Sequence, residues 1–113
     1  MKPIPILLLT LLAAATFADA DVVTDWNETA LLAIKSDRTA PPKAARALAI
    51  MHAAIYDAVN GTTQTHEPYF VWDKAADEAL PEDAAVAARL VLLRLFPAQQ
   101  AAFDATYTTS LLK

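Results

Sequence analysis

The sequence predicts an all-α fold, a bundle of about four helices, and three observations carry that expectation. First, residues 41–61 repeat their apolar side chains at helical spacing. Leu48, Met51, His52, Ile55 and Val59 share one stripe, Tyr56 lies on its edge, and Lys43, Arg46, Asp57 and Asn60 lie opposite. Second, two later segments open on a proline, Pro81 and Pro97, and continue through alanine, leucine and phenylalanine with no glycine. Third, residues 62–73 are the one extended-looking stretch, and the chain offers no second strand to pair with it, so a sheet is not expected.

Taken in order, the chain opens with Lys2, an apolar run over residues 5–17, and Ala18-Asp19-Ala20. That pattern is a secretory signal peptide over residues 1–20 with an A-x-A cleavage site, which predicts an exported protein, periplasmic or secreted, starting at Asp21. A membrane span needs about 20 apolar residues, and this run is shorter and interrupted by Thr10, so no membrane association is expected after cleavage. The first helix is expected to start at Asp25, where Asp25 and Glu28 have the spacing of a capping box, and to end near Lys35 or Asp37. Pro41 and Pro42 then bias the residues before them away from helical geometry, which separates it from the second helix. Asn60-Gly61 is expected to stop that second helix with a left-handed residue.

Residues 62–73 read as a connection whose Tyr69, Phe70 and Trp72 fold back over the alanine-rich helices. A short helical turn is expected over residues 73–80. The third helix starts at Pro81, with Glu82 and Asp83 complementing the positive end of its dipole. Val86, Leu90 and Leu93 make one stripe, while Val91, Leu92, Leu95 and Phe96 cover much of the remaining circumference. A helix apolar nearly all round is normally buried on all sides. Pro97 ends it and opens a fourth helix to about Leu112, with Phe103, Tyr107 and Leu111 spaced four apart and no stop signal after them. The third helix and the uncapped fourth together predict that residues 21–113 are the front part of a larger helical protein. A small bundle that forms a homo-oligomer through the third helix is the other reading.

Composition narrows the function classes. The net charge is −4, and loss of residues 1–20 leaves it unchanged because Lys2 and Asp19 cancel, which argues against a nucleic-acid partner. There is no cysteine, so an exported domain must stabilise itself without disulfides.

No residue is assigned a catalytic, cofactor-binding or metal-binding role. His52 sits alone among apolar residues and reads as a core histidine with its ring nitrogens hydrogen-bonded. Asp57 has no second carboxylate at useful spacing and reads as an ion-pair partner or a cap for another element. His66-Glu67 looks like half of a metal site but has no further ligands nearby and reads as surface loop. Arg89 and Arg94 lie about 140° apart on a helix, so they do not make one cationic face, and helix-to-helix ion pairs are expected of them. Asn27-Glu28-Thr29 and Asn60-Gly61-Thr62 match the glycosylation sequon, which matters only in a eukaryotic secretory pathway.

The run from Pro41-Pro42-Lys43 through Met51-His52-Ala53-Ala54-Ile55-Tyr56-Asp57 to Asn60 resembles the N-terminal signature helix of bacterial vanadium-dependent haloperoxidase-like proteins. Those proteins belong to the type 2 phosphatidic acid phosphatase and haloperoxidase superfamily. Trp26-Asn27, Glu67-Pro68-Tyr69 and Leu95-Phe96-Pro97-Ala98-Gln99 are similar to the family at matching places. The resemblance implies a helical enzyme that holds vanadate or phosphate through a lysine, arginines and histidines, because an oxyanion needs cationic donors and a histidine to coordinate vanadium or attack phosphorus. The superfamily patterns Lys-x6-Arg-Pro, Pro-Ser-Gly-His and Ser-Arg-x5-His do not occur in this sequence. The resemblance therefore implies an N-terminal scaffold segment, with no vanadate ligand of its own and a C-terminal catalytic bundle as its partner.

Overall fold

The computed structural model describes residues 21–74 and 80–113, and within them the fold is all-α. The expected signal peptide lies outside the described residues, as do residues 75–79 of the helical turn expected over residues 73–80, whose described residues 73, 74 and 80 are not helical. Four helices follow one another: α1 (Val22–Ser36), α2 (Pro41–Thr63), α3 (Pro81–Leu95) and α4 (Gln100–Ser110), the last preceded by a 3-10 turn over Pro97–Gln99. The third helix is central, packing against the other three, while α1 also packs against α4 and more lightly against α2.

The core explains that arrangement. Trp26 of α1, Met51 of α2, Leu92 of α3 and Phe103 of α4 are the largest fully buried side chains, one from each helix. Around them Ala30, Ala33, Ala47, Ala85 and Ala88 are also buried. Alanine adds no bulk at a crossing, so the helix axes approach closely and each large residue meets backbone on several sides. Burying one such large side chain stabilises the fold by about 1.5–3 kcal/mol.

Several expected boundaries move, each for a local reason. Helix α1 starts three residues earlier than its Asp25–Glu28 spacing suggests. Asp21 is the N-cap, its carboxylate accepting from the Thr24 backbone N–H at 2.8 Å and the Thr24 hydroxyl at 3.0 Å. Those Thr24 bonds hold the Asp21 carboxyl below its ordinary range. Helix α1 ends in a paired closing turn, Thr39 N–H to Ile34 C=O at 3.0 Å and Arg38 N–H to Lys35 C=O at 3.2 Å, with Arg38 left-handed at φ 51°.

Helix α2 does not stop at Gly61. It continues to Thr63, and Gln64 takes the left-handed position at φ 49°. Gly61 is buried inside the helix with a negative φ. Helix α3 begins at Pro81 as expected, with the Asp83 carboxylate accepting from the Leu80 N–H at 2.9 Å. Leu80 has no side-chain acceptor, so only the returning half of a capping box is present.

The stripe expected on α3 is displaced as well. Ala84, Ala85, Ala88 and Leu92 form its buried face, whereas Val86 and Leu90 are 39% and 55% exposed. On α4 Phe103 is buried and Tyr107 half-buried, but Leu111 lies past the helix end and is exposed. Across the bundle, Arg89 of α3 holds Asp104 of α4 through Nε at 2.8 Å and Nη2 at 2.6 Å, and its guanidinium lies 5.5 Å from the Tyr107 ring centre. This is the helix-to-helix pairing expected of Arg89. Lys113 reaches Asp25 at 2.8 Å, Thr29 bonds Thr106 at 2.9 Å, and the Gln99 amide donates to the Ala33 carbonyl at 2.9 Å, so α1 is tied to α4, to the 3-10 turn before it and to the residues after it.

Candidate functional site

Of the polar side chains of α2 that the helical wheel places opposite its apolar stripe, Lys43 and Arg46 are exposed, but Asp57 and Asn60 do not face water. Asp57 and Asn60 are 7% and 6% exposed, because the segment after the helix doubles back and lies on them. Asp57 Oδ1 accepts from Tyr69 N–H at 2.7 Å, and Oδ2 accepts from Phe70 N–H at 2.8 Å and Val71 N–H at 2.9 Å. Asn60 makes a two-way bond to His66, donating from Nδ2 to its carbonyl at 2.8 Å and accepting its N–H on Oδ1 at 3.0 Å. Tyr56 donates its hydroxyl to the Glu67 carbonyl at 2.8 Å. Three neighbouring residues of one helix thus bind the backbone of residues 66–71.

Burial alone would push the Asp57 carboxyl up, but the N–H groups of Val71, Tyr69 and Phe70 outweigh it and hold the group below its ordinary value. Both oxygens are engaged by backbone, so Asp57 acts as a clamp for another segment, one of the roles its position suggested.

This clamp also overturns the expectation for the aromatic residues. With its amides turned inward to the carboxylate, the segment turns its side chains outward, leaving Tyr69, Phe70 and Trp72 at 75%, 82% and 69% exposure. They do not cover the alanine-rich helices. Instead Tyr69 and Phe70 wall one side of a cleft of about 370 Å³ whose floor is Ala49, Ile50, Ala53 and Ala54 of α2. Arg46 stands at this cleft, and Asp57 contributes to its lining. The surroundings suit an apolar occupant beside one cation; the one carboxylate there is already saturated.

His52 and Asn27, two residues with competing readings, prove to be each other's partner. His52 Nε2–H donates to Asn27 Oδ1 at 2.9 Å, joining α2 to α1. Both sequon asparagines, Asn27 and Asn60, are therefore occupied inside the fold. The His66 ring bonds Thr65 at 2.9 Å and is exposed with Glu67 in the loop, as expected of a surface segment. Among the described residues no group of three or more histidine or acidic side chains is placed to hold a metal ion, and no helix is long and apolar enough to cross a membrane. Trp26 Nε1 is buried without a hydrogen-bond partner.

Sequence reasoning read Asn60 only as part of a helix stop and of a sequon, and read Asp57 as an ion-pair partner or a cap without identifying residues 69–71 as the segment it holds. The signal for both was faint: polar residues at 57 and 60, one turn apart near the end of a helix and followed by a proline-containing loop, are placed to receive that loop as it returns. No protein-family model matches the chain, nor does any curated protein or solved structure.

Proposed function

We propose that this chain is the N-terminal scaffold segment of an exported vanadium-dependent haloperoxidase-like protein. In this reading α1–α4 pack beside a catalytic helical bundle and position it, contributing no reacting group. The oxyanion site of the intact protein, with its lysine, arginines and histidines, then lies in another part of the molecule. That site would carry either vanadate-dependent oxidation of halides by peroxide or hydrolysis of phosphate esters.

One observation carries the proposal beyond the resemblance of α2. The loop over residues 69–72 exposes three aromatic rings while its backbone is tied to α2 by Asp57. Exposed apolar surface on an ordered segment marks a place of contact. Together with the adjoining cleft floored by Ala49, Ala53 and Ala54, it offers a face on which another helix can lie closely.

The deciding experiment reads the gene downstream of the Lys113 codon. An open frame that goes on to encode the three oxyanion-binding patterns supports the proposal, whereas a stop codon directly after Lys113 removes it in favour of a non-enzymatic exported helical module. A biochemical check runs beside it. The purified chain should give background rates in vanadate-dependent peroxidase and phosphatase assays, and turnover that survives purification would contradict a scaffold role.

A further inference from the structure

Beyond Pro81, α3 leaves only Glu82, Val86, Leu90 and Arg94 exposed, and every other residue of the helix is buried or half-buried. Their spacing of four makes them one continuous ridge. The ridge is its own complement. Glu82 lies as far before Ala88 as Arg94 lies after it, and Val86 lies as far before Ala88 as Leu90 lies after it. Reversing the helix about Ala88 therefore sets acid against base at both ends and apolar against apolar between. Among the described residues neither Glu82 nor Arg94 has an ion-pair partner.

We infer that α3 pairs antiparallel with α3 of a second copy of this chain, about a two-fold axis that emerges on the exposed ridge midway between Val86 and Leu90, level with the buried Ala88. Val86 then meets Leu90 of the second copy, and Glu82 meets Arg94 of the second copy, each contact occurring twice as an isologous interface requires. Ridges of residues four apart interdigitate at a crossing angle of about 50°, and Ala87 beside the axis keeps the approach close. A receiving groove is present: Ile50, Val91 and Leu95 line a hollow of about 440 Å³ with Leu90 and Arg94 at its edge, where Val86 of the second copy is seated.

The pattern of charge along the ridge, rather than the net charge, points to a second copy, because Glu82 and Arg94 are spaced to match their own reversed order. At a net charge of −4 two copies repel in any arrangement that does not match charges locally, and this ridge matches them twice. The contact is small. One helix pair falls below the roughly 1,200 Å² of a standard interface, so association belongs in the range from about 1 μM to about 1 mM. The inference stands independently of the function proposed above and uses the α3 ridge rather than the aromatic loop, the two surfaces meeting at Ile50.

The test is sedimentation equilibrium of the chain expressed from Met1 and purified, with circular dichroism to verify that each variant is folded. Wild type is expected to show a reversible monomer–dimer equilibrium. Leu90→Glu should weaken it at least about tenfold, as should Glu82→Arg and Arg94→Glu taken singly, because each places like charges or a buried charge at the contact. Mixing the Glu82→Arg and Arg94→Glu variants in equal amounts should restore dimerisation, since the mixed pair carries arginine against glutamate at both ends. A wild type that stays monomeric throughout this range overturns the inference. So does a dimer indifferent to both charge variants, or a mixture no tighter than its components.

Discussion

Asp57 decides the behaviour of three residues that follow it at a distance, Tyr69, Phe70 and Val71. Its two oxygens take three consecutive N–H groups, and a carboxylate so held has a lower pKa than the same group in the unfolded chain. The unfolded chain therefore binds the proton first as pH falls. The clamp contributes fully above the ordinary value of 3.8 and is lost as pH drops through the lower folded value. Hydrogen-exchange protection factors of the Tyr69, Phe70 and Val71 amides should accordingly be high at neutral pH and collapse below pH 3.8. In Asp57→Ala they should be absent at neutral pH as well, while protection in α1 and α4 persists; protected loop amides in that variant would show that something other than the carboxylate holds the loop. The sequence made the helix around Asp57 legible through its period, but not the clamp. A hydrogen bond between a side chain and backbone fourteen residues away leaves no periodic trace, because every residue type offers the same N–H.

At the scale of elements, helix ends were harder to read than helices. Pro41 and Pro81 each open a helix where the sequence placed it, since a missing N–H costs nothing in a first turn, whereas Pro97 opens a 3-10 turn and the fourth helix starts only at Gln100. The closing ends follow no such rule here. Arg38 and Gln64 occupy the left-handed positions, and Gly61 sits within a helix. Asn60 explains the second case: with its side chain committed to His66, the helix continues until Gln64 N–H can close on the Asn60 carbonyl at 2.6 Å. A non-glycine residue held left-handed is strained by about 1–2 kcal/mol. Gln64→Gly should therefore stabilise the protein by about 1 kcal/mol, discounted for the weak Gln64 side-chain bond to the Trp72 carbonyl, and thermal melting will register the gain as a higher midpoint. An unchanged or lower midpoint would mean that the side chain contributes more than its 3.4 Å contact suggests.

For the whole molecule, the spacing of the bundle is set by alanine. Ala85 and Ala88 are both fully buried on α3, the helix that touches the other three. Enlarging either one, for example Ala88→Leu, should destabilise the fold by about 1–3 kcal/mol through overpacking, measurable by urea denaturation, whereas Val86→Leu on the exposed ridge should leave the urea midpoint nearly unchanged. Equal effects at the two positions would argue against close helix approach at Ala88. The same geometry shows why the faces of α3 were misread from the sequence. When alanine lines the closest contacts, larger residues such as Leu90 are turned outward, and a reading that ranks positions by hydrophobicity assigns the faces the wrong way round.

The left-handed arginine and glutamine have a consequence in the chain before it folds. Because these turns dispense with glycine, the whole sequence contains a single glycine against seven prolines and no cysteine. Each glycine avoided and each proline placed at a helix start narrows the range of conformations open to the denatured chain, so less entropy is lost when the bundle forms. Where small domains rich in disulfides restrict their disordered state with crosslinks, this one restricts it with the stiffness of its own backbone.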